Sequence, residues 1–172
     1  IEQDEKIETV LTVRDNIHDG YLFMATKHGL VKKTPLSEFK NLRKSGLIAI
    51  NLREGDELLK VKVTRGDADI IIVSQEGNAI KFNEQDVRPM GRTASGVREN
   101  DIAVCMDIAV DDEELLVISE NGYGKRTPVS EYKRQNRGGI GLITYKISEK
   151  TGKVVGAIVC KNDDELMLIN TS

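Results

Sequence analysis

The sequence predicts an all-β, propeller-like array of repeated four-stranded units, because one motif recurs along the chain. The segment HGLVKKTPLSEF around Gly29 returns as NGYGKRTPVSEY around Gly122, and EGNAIKFNEQDV around Gly77 is a degenerate third copy. An apolar run precedes each copy, and a fourth apolar run, ELMLIN, spans 165–170. The three glycines are 48 and 45 residues apart. A period in the mid-forties with strand-like units is typical of propeller-type arrays.

The 172 residues read as one array of about three and a half units. In the first unit, about 7–55, the predicted strands are ETVLTV, YLFMAT, LVKKTP and LIAINL, with a tight turn at Gly29. The second, about 56–102, repeats this plan with ELLKVKVT, DIIIVS, AIKFN and GVR. The third, about 103–152, uses AVCMDIAV, ELLVIS, GKRTP and IGLITYKI, and a partial fourth, 153–172, supplies VVGAIVC and ELMLIN. Helix signals are limited to one turn each at SEF and SEY.

Composition argues against several classes of function. No run of about 18 apolar residues is present, so no membrane span is predicted. Cys105 and Cys160 lie in apolar runs and are predicted to be buried packing thiols, as in a reducing cytoplasm. Acidic pairs such as Asp111-Asp112 fit hairpin turns and lack the spacing of a calcium loop. The sequence therefore predicts no catalytic residue, metal or cofactor.

Charge is segregated within the repeat, although the net charge is only -3. The equivalent stretches 32–44, 81–98 and 125–137 hold 14 basic residues against four acidic ones. A basic surface phased with a repeat favours a polyanionic partner such as DNA. The predicted DNA-binding residues are Lys32, Lys33, Arg43, Lys44, Lys81, Arg88, Arg92, Arg98, Lys125, Arg126, Arg134 and Arg137.

Glycines in the three basic loops predict how such a partner is bound. Gly46, Gly96 and Gly138-Gly139 each follow cationic side chains, and glycine lets backbone amides approach phosphate closely. No aromatic residues interleave with these cations for base stacking, and no recognition helix is predicted. The pattern favours sequence-tolerant contact with the backbone of duplex DNA. The alternative is a propeller that serves as a protein-interaction platform, with its basic stripe facing an acidic partner.

Three runs resemble the C-terminal domain of the A subunit of bacterial DNA gyrase: YLFMATKHGLVKKTPLSEF, GLIAINLREGDEL and AIKFNEQDVRPMGRTASGVR. The resemblance covers essentially the whole chain and implies a β-pinwheel whose four-stranded blades exchange strands. It further implies a non-catalytic module that binds and wraps duplex DNA and supports negative supercoiling by an ATP-dependent type II topoisomerase. The implied partners are duplex DNA, the gyrase B subunit and the rest of the gyrase A subunit, in the bacterial cytoplasm at the nucleoid. The cleaving tyrosine of that enzyme is expected outside this chain.

Two departures from the family pattern favour a partial domain. The family has six blades, whereas this chain supplies about three and a half, and it starts without Met. The family's box Gln-Arg-Arg-Gly-Gly-Lys-Gly has its nearest match at Gln135-Asn136-Arg137-Gly138-Gly139-Ile140-Gly141, in the third unit. We therefore expect the first blade and the end of the domain to lie outside the chain. The related domain of the topoisomerase IV A subunit is the near alternative.

Overall fold

A computed structural model describes residues 10–11, 19–40, 47–89, 101–136 and 139–169. Within these residues the regular structure consists of ten β-strands and three single 3-10 turns, which confirms the predicted all-β class. No helix in this part of the chain is long and apolar enough to cross a membrane. The strands are β1 (Tyr21–Thr26), β2 (Val31–Pro35), β3 (Leu58–Thr64), β4 (Asp69–Ser74), β5 (Asn78–Asn83), β6 (Ala103–Ile108), β7 (Glu114–Ser119), β8 (Gly124–Pro128), β9 (Leu142–Ile143) and β10 (Val154–Cys160), and the turns are Leu36–Phe39, Glu84–Asp86 and Val129–Glu131.

The strands form three antiparallel sheets, each built on one hairpin. The sheet orders are β2-β1-β3, β6-β4-β5-β9 and β10-β7-β8. The strand that precedes each hairpin in sequence pairs with the hairpin before it, since β3 pairs with β1 and β6 pairs with β4. ELLKVKVT, predicted to open the second unit, thus completes the first sheet. β9 also pairs back onto β5 of the preceding hairpin. The sheets therefore exchange strands along the chain.

A glycine with positive φ closes each hairpin, as the repeated motif predicts. Gly29, Gly77 and Gly122 have φ of 78°, 79° and 77°. Their amides donate to the carbonyl oxygens of the residues three before them, at 2.9–3.0 Å. A side chain is disfavoured in this left-handed conformation, so glycine is the residue that fits these turns.

Gly77 has a second role that Gly122 lacks. A Cβ atom on Gly77 would lie 2.1 Å from the carbonyl oxygen of Tyr145, whereas one on Gly122 would meet nothing within 4 Å. The amides of Thr144 and Tyr145 both donate to Gly77 O, at 2.9 and 3.1 Å. Gly77 therefore lets the chain after β9 pack directly on the middle hairpin.

Gly77→Ala is expected to destabilise the protein by about 3–5 kcal/mol, because backbone strain and a forced displacement of residue 145 add together. The matched variant Gly122→Ala has nearly the same φ and open space, so we expect only the strain, about 1–2 kcal/mol. Urea unfolding of both variants measures the difference. Equal losses would show that the close approach at Gly77 contributes nothing.

The middle hairpin is the centre of the core. All six residues of β4 are buried. Ile70 and Ile72 pack with Phe23 in a cluster shared with the first sheet. Ile71 and Val73, on the opposite face of β4, pack in a second cluster that includes residues of β7. Because β4 contributes to two cores, its sequence is apolar without alternation, which is the pattern that DIIIVS has.

Two predicted strands are wrong, and neither segment pairs with another strand within the part of the chain that the structure describes. LIAINL at 47–52 and the described part of ELMLIN at 165–169 are irregular. The apolar side chains of the second segment are exposed, with Met167 and Ile169 each 85% accessible. An apolar run becomes a strand only where a neighbour pairs with its backbone. IGLITYKI is a strand only at Leu142–Ile143. ETVLTV, apart from residues 10 and 11, and GVR at 96–98 lie outside the described residues.

Both cysteines are buried, as predicted. Cys105 is 7% exposed and lies in the second cluster, and Cys160 is 3% exposed at the end of β10. Burial raises the pKa of the Cys105 thiol to about 12. Burial likewise raises the pKa of Cys160. Both side chains are packing groups in their protonated form at neutral pH.

Candidate nucleic-acid interface

Each hairpin ends in the same local structure, in which its second strand runs into a single 3-10 turn. Pro35 and Pro128 precede the first and third turns, and proline ends the strand ladder because it has no backbone N–H. Asn83 takes this place before the second turn, where its side-chain oxygen accepts a hydrogen bond from Gln85 N at 3.0 Å. The cations of the three basic stretches can therefore be compared position by position from these turns.

Lys33, Lys81 and Arg126 share one position, two residues before the end of β2, β5 and β8. The side chain of Lys33 reaches the neighbouring sheet, where its Nζ donates to the carbonyl oxygen of Glu84 at 2.7 Å. The same Nζ lies 5.0 Å from the centroid of the Tyr21 ring. Burial lowers the pKa of Lys33, and the Glu84 carboxylate partly offsets this effect.

Lys81 and Arg126 each bind a turn that follows a strand of their own sheet. Lys81 pairs with Asp111 in the turn before β7, and its Nζ lies 3.8 Å from Asp69 Oδ2. Arg126 donates to Asn162 Oδ1 at 2.8 Å, in the turn after β10. Lys33 and Lys81 therefore connect one sheet to the next, whereas the partners of Arg126 lie in, or directly after, strands of its own sheet.

The prediction that all the selected cations face DNA conflicts with the structure at Lys33 and Lys81. Each is only 4% exposed, and each ammonium already has protein partners. A phosphate group in solution has no access to them. Arg126 is more open, at 40% side-chain exposure, but it is paired with Glu114. Charge recurs at this position in the sequence, but in the structure each of the three side chains is paired with other groups of the protein.

Lys32 and Lys125 share a second position, next to the first. Lys32 Nζ donates to Ala49 O at 2.6 Å, and Lys125 Nζ donates to Thr144 O at 3.2 Å. Both carbonyls belong to the chain that follows the basic loop of the same unit. These lysines therefore hold that returning segment against the hairpin, and Lys125 is itself exposed.

A third shared position is open to solvent. Lys40, Arg88 and Lys133, here called the outer cations, lie four residues after the first residue of each 3-10 turn. All three are exposed. Among the described residues, none of their side chains has a hydrogen bond or an ion pair. Of the three, only Arg88 is among the predicted DNA-binding residues, and Lys40 and Lys133 share its position relative to the turn.

Arg134 follows the third outer cation and is partly engaged. Its Nε donates to Asp69 Oδ2 at 2.6 Å, while the side chain remains 65% exposed. This hydrogen bond raises the pKa of Arg134. The remaining predicted DNA-binding residues, Arg43, Lys44, Arg92, Arg98 and Arg137, lie outside the described residues.

The third basic loop closes around Gln135. Its Oε1 accepts a hydrogen bond from Gly141 N at 3.1 Å. A Cβ on Gly139 would lie 2.3 Å from the same oxygen, so a larger residue there would displace the end of the Gln135 side chain. This loop is the described counterpart of the glycine-bearing loops predicted from sequence. Gly46, Gly96 and Gly138 lie outside the described residues.

The acidic residues of the described chain serve the fold. No group of three or more His, Cys, Asp or Glu side chains there is arranged to hold a metal ion. Asp111 lies in a turn and pairs with Lys81. Asp56 and Asp101 occupy equivalent positions before β3 and β6, where each accepts hydrogen bonds from two backbone amides.

Comparison with known families identifies the chain. A model described as the DNA gyrase C-terminal domain, beta-propeller, matches residues 20–65, 68–98 and 113–161. The chain belongs to this DNA gyrase C-terminal domain family. The resemblance inferred from the sequence is therefore confirmed.

Curated relatives of this DNA gyrase C-terminal domain are whole gyrase A proteins. The DNA gyrase A protein of Clostridium acetobutylicum is 59% identical over 175 residues, which cover 99% of this chain and 21% of the relative. The DNA gyrase A protein of Staphylococcus epidermidis is 44% identical over 180 residues, covering 100% of this chain and 20% of the relative. The chain thus spans about a fifth of the length of these relatives.

Solved structures of gyrase-type C-terminal domains share the fold. A DNA gyrase A C-terminal domain superposes with a TM-score of 0.79 at 33% identity, covering 95% of this chain and 57% of that chain. The C-terminal domain of a DNA topoisomerase IV gives a TM-score of 0.82 at 27% identity, covering 94% and 53%. Together with the exchanged antiparallel sheets, these neighbours confirm the predicted β-pinwheel.

Proposed function

We propose that this chain is a non-catalytic module that binds and wraps duplex DNA without sequence preference. The observation that supports this function is the recurrence of the outer cations, Lys40, Arg88 and Lys133, after successive hairpins. One such cation follows each hairpin at the same distance from its 3-10 turn, so successive sheets of the array present successive positive charges to solvent. A regularly charged surface of this kind suits the phosphate backbone, which carries about one charge per 1.7 Å of duplex axis.

The module is expected to contact the phosphate backbone of DNA and not the base edges. The described elements include no helix longer than one 3-10 turn, so none can enter the major groove in the manner of a recognition helix. Lysine and arginine neutralise phosphates whatever the bases are. The module therefore binds random-sequence DNA.

The family supports a place for this module in a larger enzyme. We assign it to the gyrase A protein of DNA gyrase, an ATP-dependent type II topoisomerase of the bacterial cytoplasm, acting at the nucleoid. There it supports negative supercoiling by wrapping DNA, while the cleaving tyrosine lies elsewhere in gyrase A, and gyrase B completes the holoenzyme. The curated relatives over the whole chain are gyrase A proteins, which favours gyrase over topoisomerase IV.

A titration with random-sequence duplex DNA at several salt concentrations tests the proposal. We expect binding at low salt, with log affinity falling linearly as log salt rises, because bound phosphates release counterions. A second duplex of unrelated sequence should give the same affinity. No binding at low salt would contradict the proposal, and preferential binding of an acidic polypeptide would favour the protein-interaction platform.

Replacing an exposed outer cation and replacing a buried lysine should have different effects on the salt dependence of DNA binding. Arg88→Met is expected to reduce the magnitude of the salt slope by about one, as loss of one phosphate contact does. Lys33→Met removes the same charge from a buried site, so the slope should stay unchanged. The same salt titration measures both variants. A reduced slope for Lys33→Met would show that the inter-sheet lysine contacts DNA after all.

A further inference from the structure

The backbone of Arg134 is fixed against the middle hairpin. Lys81 and Arg134 form an isolated parallel bridge, and Gln135 N donates to Lys81 O at 2.8 Å. The equivalent bridge at the preceding junction joins Lys33 to Pro89, which carries no charge. The junction between the second and third hairpins thus places an additional arginine beside the outer cation.

The side chain of Arg134 is bound by the Asp69 carboxylate, which has further contacts of its own. Asp69 is 9% exposed, and its Oδ2 accepts from Arg134 Nε at 2.6 Å. Asn83 Nδ2 donates to Asp69 Oδ1 at 2.9 Å, and Lys81 Nζ lies 3.8 Å from Oδ2. The hydrogen bond from Asn83 and the nearby charge of Lys81 therefore hold the carboxylate, and the carboxylate fixes the direction of the Arg134 guanidinium.

The bond through Nε leaves the two terminal amino groups of Arg134 available. The side chain is 65% exposed, and Asp69 is its only ion-pair partner among the described residues. A guanidinium whose terminal amino groups face solvent in a fixed orientation fits two oxygens of one phosphate. Holding the fork in advance lowers the entropy lost on binding.

We propose that Asp69 is a positioning residue that orients Arg134 for bidentate contact with a phosphate of duplex DNA. The inference rests on the proposed DNA-binding function. It predicts that removing the negative charge of Asp69 weakens DNA binding, whereas net charge alone predicts stronger binding. The cluster of Lys81, Arg134, Asp69 and Asp111 is formally neutral, so removing one carboxylate charge should by itself strengthen attraction for DNA.

Asp69→Asn in the full chain tests the inference against that expectation. Positioning predicts that affinity for a random-sequence duplex falls by roughly three- to tenfold, even though the protein becomes more positive. Asp111→Asn is the matched control, because it removes the same charge from the same cluster without touching Arg134, and its affinity should stay equal or rise. In an Arg134→Ala background, Asp69→Asn should no longer weaken binding.

Arg134→Lys provides a test that does not depend on the folding of the Asp69 variant. It keeps the charge at an exposed site and loses the planar fork, so affinity should fall about as much as in Asp69→Asn. Equal or stronger binding by Asp69→Asn or by Arg134→Lys, with wild-type binding intact, overturns the positioning role alone. Failure of the wild-type chain to bind duplex DNA overturns the proposed function and this inference with it.

Discussion

Replacing the three outer cations together, as Lys40→Gln, Arg88→Gln and Lys133→Gln, is expected to reduce the magnitude of the salt slope of DNA binding by about three. Each side chain is exposed and has no protein partner among the described residues, so each is free to neutralise one phosphate. Affinity should fall alike for duplexes of unrelated sequence, because no base is read. A titration over several salt concentrations with two such duplexes measures both effects.

The control for this variant changes the net charge equally at other exposed sites. Lys60, Lys146 and Lys150 are exposed lysines that lie away from the 3-10 turns, and their replacement by glutamine removes the same three charges. If binding depended on net charge alone, both triple variants would lose the same slope. That result would contradict the assignment of the outer cations as the DNA-contacting residues.

Glu84→Leu is expected to destabilise the protein by about 3–5 kcal/mol, because it leaves several buried donors without acceptors. Glu84 is fully buried in the turn after β5. Its carboxylate accepts from Thr64 Oγ1 at 2.7 Å, from Gly66 N at 3.0 Å and from Ala68 N at 2.8 Å. The side chain therefore joins the end of the first sheet to the second. Equilibrium unfolding in urea measures the loss.

Two further variants separate lost hydrogen bonds from lost packing. Glu84→Gln keeps the shape and can remake all three bonds if the Thr64 hydroxyl turns to accept, so we expect a loss of only about 1 kcal/mol. Leu36 occupies the equivalent position after β2, and Leu36→Val should cost about 1 kcal/mol through packing alone. A Glu84→Leu protein as stable as either would show that the carboxylate does not hold the junction.

Sequence reasoning predicted the hairpins because their causes are local. Gly29, Gly77 and Gly122 meet the conformational demand of each turn, and Pro35 and Pro128 end the strands that follow. The apolar runs around these residues are the strands observed. Turn chemistry and side-chain pattern act within a few residues, so one repeat contains the information needed.

The pairing of strands could not be predicted in the same way. β3 follows the first basic loop in sequence and resembles the opening strand of a new unit, yet it pairs with β1. An alternating pattern indicates that one face of a strand is buried, but it does not indicate which strand pairs with it. The resemblance to a family, rather than the pattern itself, suggested strand exchange. The segment 165–169 is likewise apolar but irregular, so apolar content alone does not predict a strand.

The sequence predicted that the candidate site is basic, but it identified only some of the exposed residues that form it. Lys32 and Lys33 are neighbours in sequence, and they point to opposite faces of β2, so one holds the returning chain and the other lies buried at the junction. Charge recurrence treats such residues alike. Lys40 and Lys133 belong to the basic stretches, but the position that they share with Arg88 is defined only by the 3-10 turns of the structure.

The exchange of strands affects the order in which strands can pair during synthesis on the ribosome. β5 ends at Asn83, but β9, which pairs with its first two residues, is not synthesised until Leu142 and Ile143. The whole third hairpin emerges in between. During that interval Asn78 and Ala79 lack their β9 partners, and the middle sheet gains its last strand only after the third hairpin has been made.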